Sequence, residues 1–168
     1  GTAVGDGLTT GSRNIFSGTY VARGVTASAD SIVMGHRAGE VQSAISNTVV
    51  IGSFANYLAA GTITNSVIVG VAAGASFAGE GMVAVGHSVL TQATGPRNTA
   101  VGTSAGSLTT TGSNQTILGY GSQGGATNYN TISIGYVVTT TASNQVRIGN
   151  LDNDHMYLFG REFARVYP

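Results

Sequence analysis

The chain has 168 residues, of which 26 are Gly, and its charges are 7 Arg against 7 Asp and Glu with no Lys, Cys or Trp. A net charge of zero argues against nucleic acid, which needs a basic footprint, and the missing Cys excludes disulfide scaffolds and Cys-based zinc sites. No apolar run approaches the ~18 residues that cross a bilayer, so no membrane insertion is expected, while a 42% hydrophobic content is too high for a solvated coil.

In chain order, a short β-branched run closes on Gly again and again. Thr2-Ala3-Val4-Gly5 comes first, then the degenerate Ile15-Phe16-Ser17-Gly18, then Ile32-Val33-Met34-Gly35, Val49-Val50-Ile51-Gly52 and Val67-Ile68-Val69-Gly70. Val83-Ala84-Val85-Gly86, Thr99-Ala100-Val101-Gly102, Thr116-Ile117-Leu118-Gly119, Ile132-Ser133-Ile134-Gly135 and Val146-Arg147-Ile148-Gly149 continue the series. From Gly35 to Gly135 the steps are 17, 18, 16, 16, 17 and 16 residues, a period that marks a repeat architecture. Gly1 stands already inside a repeat, which reads as a fragment or a processed product.

Five residues before the Gly stands Asp30, Asn47, Asn65, Asn114, Asn130 or Asn144, residue types that tolerate a left-handed corner. Three after it comes Ala38, Ala55, Ala73, Val89, Ala105, Ser122 or Val138. The rest is Gly, Ser, Thr and Asn, and nothing shows a sustained helical period. The pattern predicts an all-β parallel β-solenoid of about ten 16–18-residue repeats over residues 1–150, with a short non-repetitive tip over 151–168. At ~4.8 Å per rung the rod would be roughly 45 Å long.

Apart from Ser133 and Arg147 late in the chain, the strands are apolar on both faces, and such a strand is buried on both. The residue before Gly (Met34, Ile51, Val69, Val85, Val101) is expected to face the chain's own core. The one before that (Val33, Val50, Ile68, Ala84, Ala100) would then face away and need a cover. The simplest cover is an identical copy, so a homotrimer around a three-fold axis is expected, its rival a monomeric solenoid with an apolar groove for another partner.

The repeated Asn-Thr-x-Val/Ile-Gly-x-x-Ala-Gly, with its Thr/Gly/Ser-rich return loop, resembles the head repeats of trimeric autotransporter adhesins and related repeats of bacteriophage tail fibres, over roughly residues 1–150. The units are longer than in adhesin heads. The adhesin-head resemblance implies a left-handed parallel β-roll trimer. Toward the end, Arg147, Asp152, Asp154, Arg161, Glu162 and Arg165 place 6 charges in 22 residues. Val146–Asn150, Leu158-Phe159-Gly160 and Val166-Tyr167-Pro168 look like the segment preceding the self-cleaving intramolecular chaperone domain of tail fibres. The combined resemblance implies a virion-borne distal tail fibre that binds a bacterial surface receptor, a polysaccharide or an outer-membrane component. The alternatives are an adhesin head on a bacterial surface and a polysaccharide depolymerase.

Local matches to chemical motifs follow the repeat phase. Gly102-Thr103-Ser104-Ala105-Gly106 has the form of a nucleophile elbow, but that device needs a helix behind it. Gly119-Tyr120-Gly121-Ser122-Gln123-Gly124 has the form of a dinucleotide fingerprint without a βαβ unit. Asn114-Gln115-Thr116 is a sequon in form, sitting in the Asn slot. Glycosidases need two carboxyls within about 5–10 Å; Glu40 and Glu80 stand more than two repeats apart, so no enzymatic role is expected. No cofactor and no metal is expected either. His36 and His87 share a slot that also takes Ser53, Val71 and Thr103, and His155 lies between Asp154 and Met156. Sugar rings present apolar faces and hydroxyl edges, which suit aromatics flanked by amides and charges. The receptor-binding candidates are therefore Tyr120, Asn128, Tyr129 and Tyr136, with Asp154, His155, Tyr157 and Arg161 at the tip.

Overall fold

The computed structural model describes residues 1–58, 61–152, 155–158 and 161–164. The strands in chain order are β1 (Thr10–Ser12), β2 (Ile15–Thr19), β3 (Ala27–Ala29), β4 (Ile32–His36), β5 (Ala44–Ser46), β6 (Val49–Ile51), β7 (Thr62–Thr64) and β8 (Val67–Val69). They continue as β9 (Gly79–Glu80), β10 (Val83–Val85), β11 (Thr99–Val101), β12 (Ser113–Leu118), β13 (Tyr129–Ile134), β14 (Val146–Ile148), β15 (His155–Leu158) and β16 (Arg161–Ala164). Among the described residues there is no helix.

Nine of the ten runs that close on Gly form one wide sheet, ordered β2-β4-β6-β8-β10-β11-β12-β13-β14, with every pairing parallel, whereas the expected first run, Thr2-Ala3-Val4-Gly5, forms no strand. The return segments form a narrow parallel sheet, β1-β3-β5-β7-β9. The chain is thus a parallel β-solenoid of about eight turns. The segment after each Gly is also bonded from coil to coil, as in Ala22 N–H to Ala38 O, Gly39 N–H to Ala55 O and Gly74 N–H to Val89 O, at 2.8–2.9 Å. Separately, β15 and β16 pair antiparallel, with His155 opposite Ala164 and Tyr157 opposite Glu162.

Register follows from the corners. A Cβ added to Gly52 would lie 2.2 Å from the Gly70 carbonyl oxygen, and φ is +138° there, so only Gly lets successive coils close to strand spacing. The other corner carries Asp30, Asn47, Asn65, Asn114, Asn130 and Asn144 at φ between +50° and +59°. As the sequence predicts, these residues turn the chain in the left-handed region, where a short polar side chain is best tolerated.

Facing is opposite to the expected one. Val33, Val50, Ile68, Ala84, Ala100 and Ile117 are fully buried in the chain's own core, beside Ala38, Ala55, Ala73, Val89 and Ala105. The residues directly before Gly point outward, and Met34, Ile51 and Val101 are exposed. The cause is visible one step earlier. Ser31, Thr48 and Ser66, four before Gly, share the inward side and are buried. Each hydroxyl oxygen accepts from the next coil: Thr48 N–H to Ser31 Oγ at 3.4 Å, Ser66 N–H to Thr48 Oγ1 at 3.4 Å, and Met82 N–H to Ser66 Oγ at 3.1 Å. A hydroxyl column satisfied in this way can line a core without the penalty of an unpaired polar group. Val50 and Ile68 therefore need no second chain to cover them, and the case for a trimer in that form fails.

The core also changes along its axis. Val4, Leu8 and Phe16 pack part-buried at its first coil. At the other end the inward slot takes Ser133, whose hydroxyl donates to Gln123 O at 2.8 Å, and then exposed Arg147, which donates to the Thr139 carbonyl. The inward slot thus passes from apolar Ile117 to polar Ser133 and charged Arg147.

Candidate functional site

The coil turns a second time just after each Gly. From Gly18 to Gly135 the residue two beyond it has positive φ: Tyr20, Arg37, Phe54, Ala72, Ser88, Ser104 and Val137 lie between +52° and +58°, and Gly121 at +64°. Side chains at this corner project from the rod in a column, one per coil.

Tyr120 and Tyr136 stand on this column, one residue earlier. Their rings stack at 5.6 Å between centroids with 12° between planes, and both are exposed, at 57% and 64%. The expected pair is therefore a continuous aromatic platform. Asn128 and Tyr129 are not part of it, because Tyr129 opens β13 while Tyr136 follows its far end. The Asn130 corner and the length of the rung after it separate the two. Tyr129 is exposed, whereas Asn128 is half-buried and its carbonyl accepts from Gln115 Nε2 at 2.7 Å. His155 and Tyr157 fall on β15 and Arg161 on β16, while Asp154 lies outside the described residues.

A larger assembly on the same corner was not singled out by the sequence reading. His36 stands between Tyr20 (6.3 Å) and Phe54 (5.1 Å), and Phe54 packs edge-on against Tyr57 at 5.1 Å. The Arg37 guanidinium lies 5.7 Å from the Phe54 centroid and 5.3 Å from that of Tyr57, and Arg23 lies 5.6 Å from that of Tyr20. Both arginines converge on Glu40. Arg37 Nε donates to Oε2, and Arg23 Nη1 lies 3.6 Å from Oε1. The bond to Glu40 holds the Arg37 proton more tightly than usual. Glu40 is 8% exposed, so its charge is compensated by two cations rather than by water. Counting residues from the repeat Gly would have revealed the assembly, because slots two and five read Tyr20/Arg23, Arg37/Glu40 and Phe54/Tyr57 on three successive coils.

The motif-like segments are corners too. Ser104 is the positive-φ residue of its coil, its N–H donates to His87 O at 2.9 Å, and it is followed by turns and then β12. Gly119–Gly124 is the next coil's corner. Asn114 is exposed and accepts from Arg97 Nε at 2.9 Å. Glu80 is paired at 3.8 Å with Arg97, far from Glu40's arginines. Among the described residues no cluster of three His, Asp or Glu is placed to hold a metal ion. Two hollows lie at the last coil, around Val146–Gly149 and around Val137–Thr139 with Asn150 and Leu151, and both border Arg147. No protein-family model, curated protein or solved structure matches the chain.

Proposed function

We propose that the chain is the receptor-binding region of a bacteriophage tail fibre, a non-catalytic homotrimeric rod that attaches the virion to a bacterial surface receptor, with carbohydrate as the receptor class. The observation that carries this reading is the outward face of the wide sheet. With the interior already filled by Val33, Val50 and Ile68, the sheet still presents Ile15, Met34, Ile51, Val67, Val101, Ile132, Val146 and Ile148 to the outside, each at least 36% exposed. Nine strands of about three residues give this stripe roughly 40 Å by 10 Å, or on the order of 400 Å². That is the size of the largest patch on many monomeric proteins, a kind of surface that is often functional. A three-fold axis parallel to the rods would cover the stripe on every chain and leave no open copy. The corner aromatics would then remain at the rim in three copies, where avidity lets weak contacts suffice. The resemblance at the C-terminal end favours the phage over the bacterial surface.

The test is the mass in solution and adsorption to cells. Light scattering should give 3 × 16.9 kDa. Labelled protein should adsorb to host bacteria and release no reducing sugar from their polysaccharide. A stable single chain, or released oligosaccharide, would overturn the reading.

A further inference from the structure

Arg23, Glu40 and Tyr57 occupy one slot on three successive coils, and Tyr20, Arg37 and Phe54 occupy another three residues earlier. Together they form a lattice two wide and three deep, with a buried carboxylate at its middle. The next three coils keep the same corner with Ala72/Ala75, Ser88/Thr91 and Ser104/Ser107. The backbone is alike in both stretches, with φ +57° at Tyr20, Arg37 and Phe54 and +53° to +58° at Ala72, Ser88 and Ser104. The coil therefore does not require large side chains here. Bulky residues in the left-handed region are outliers, and such strain collects at functional sites.

The charges do not cancel. Two guanidiniums face one carboxylate, which leaves one positive charge on a chain whose net charge is zero. Arg37 is held by Glu40 and covered by Phe54 and Tyr57, whereas Arg23 keeps 54% of its side chain exposed and stands over Tyr20. An exposed guanidinium beside a buried carboxylate and over the Tyr20 ring offers a partner for an anion and, with the ring, a platform for a sugar's apolar face. Three coils extend roughly 10 Å along the rod, enough for a short oligosaccharide.

We infer that the corner patch of Tyr20, Arg23, Arg37, Glu40, Phe54 and Tyr57 binds a carboxylate-bearing saccharide, the acid group on Arg23 and a sugar ring on the neighbouring aromatics. This rests on the attachment reading above and names the chemistry of the ligand. The test is saturation-transfer NMR on the whole chain with four probes: an α2,8-linked N-acetylneuraminic acid trimer, a mannuronate trimer, neutral chitotriose and hexaglutamate. One or both acidic sugars should bind, which tells a nonulosonic from a uronic source, and chitotriose should not. Arg23→Ala, at an exposed position that leaves the core intact, should weaken binding about tenfold. Tyr57→Ala should weaken it too, while Tyr120→Ala should not. Equal binding of chitotriose, indifference to Arg23→Ala, or hexaglutamate competing as well as the acidic sugars would each overturn the inference, the last in favour of an acidic peptide. If no acidic sugar binds but the protein still adsorbs to host bacteria, this inference alone falls. If adsorption also fails, the attachment reading falls with it.

Discussion

The two sheets of the solenoid share a core but differ on their outer faces. Inside, Val50 and Ile68 from the wide sheet meet Ile45 and Ile63 from the narrow one, all fully buried. Outside, the narrow sheet carries Thr10, Ser12, Ala27, Ala29, Ala44, Ser46, Thr62 and Thr64, small or hydroxylated side chains that suit water. The wide sheet carries Ile, Val and Met in the equivalent places. Since both are parallel sheets of the same coil, winding does not explain the contrast; the two faces differ in composition, apolar on the wide sheet and small or hydroxylated on the narrow one.

The sharpest way to break this comparison is to charge each outer face in turn. Ile51→Asp with Val67→Asp should abolish assembly, so that the mass in solution falls to that of one chain while the β-type circular dichroism persists. Ala27→Asp with Thr62→Asp on the narrow sheet should leave the mass unchanged. An assembly that tolerates the first pair and fails with the second would assign contact to the wrong face. Next in size is the contrast across a single strand. Ile68→Ala removes three methyl or methylene groups from a closed core and should cost about 2–5 kcal/mol. On the outward side, Val69→Ala in the single chains of the Ile51→Asp, Val67→Asp variant should cost about 1 kcal/mol or less. Denaturant midpoints at fixed protein concentration measure both, and equal losses would mean that Ile68 is not the core residue.

The period, the Gly corner and the Asn/Asp corner were legible because each is a local backbone demand that only a few residue types meet. Facing was not legible. At Val50 and Ile51, or Ile68 and Val69, both neighbours are apolar and alternation carries no sign. The polar residues that share a side with Val50 and Ile68, namely Thr48 and Ser66, would suggest a solvent face. They are buried only because each accepts an amide from the adjacent coil, a fact of stacking absent from any single repeat. For the candidate site, Tyr120 and Tyr136 were found from their common slot. The lattice around Glu40 was missed because its members change chemical type from coil to coil, from Tyr to Arg to Phe in one column, so no column reads as a motif.

The smallest expected effect separates two halves of the corner that joins the narrow sheet to the wide one. In its early coils Arg13 grips Asp30 through Nε at 2.5 Å and Nη2 at 2.7 Å. At its last two coils the same column is neutral, with Asn130 Nδ2 donating to Asn144 Oδ1 at 2.8 Å. The hydrogen bond from Arg13 holds the Asp30 carboxyl below its ordinary value, opposed by desolvation and aided by the guanidinium's charge. A group whose folded pKa is depressed contributes fully above its unfolded value, and the contribution disappears as pH falls through the folded one. Acidification through and below the carboxylate range should therefore remove a small increment of stability that Asp30→Asn never has, since Asn extends the amide ladder instead. The pair is exposed, so salt should shrink the difference further. Denaturant midpoints of the two proteins should converge at low pH and separate slightly near neutrality at low salt. Curves that stay parallel across the acid range would mean that the early corner draws nothing from its ion pair, and that charge and amide columns are equivalent ways of turning the coil.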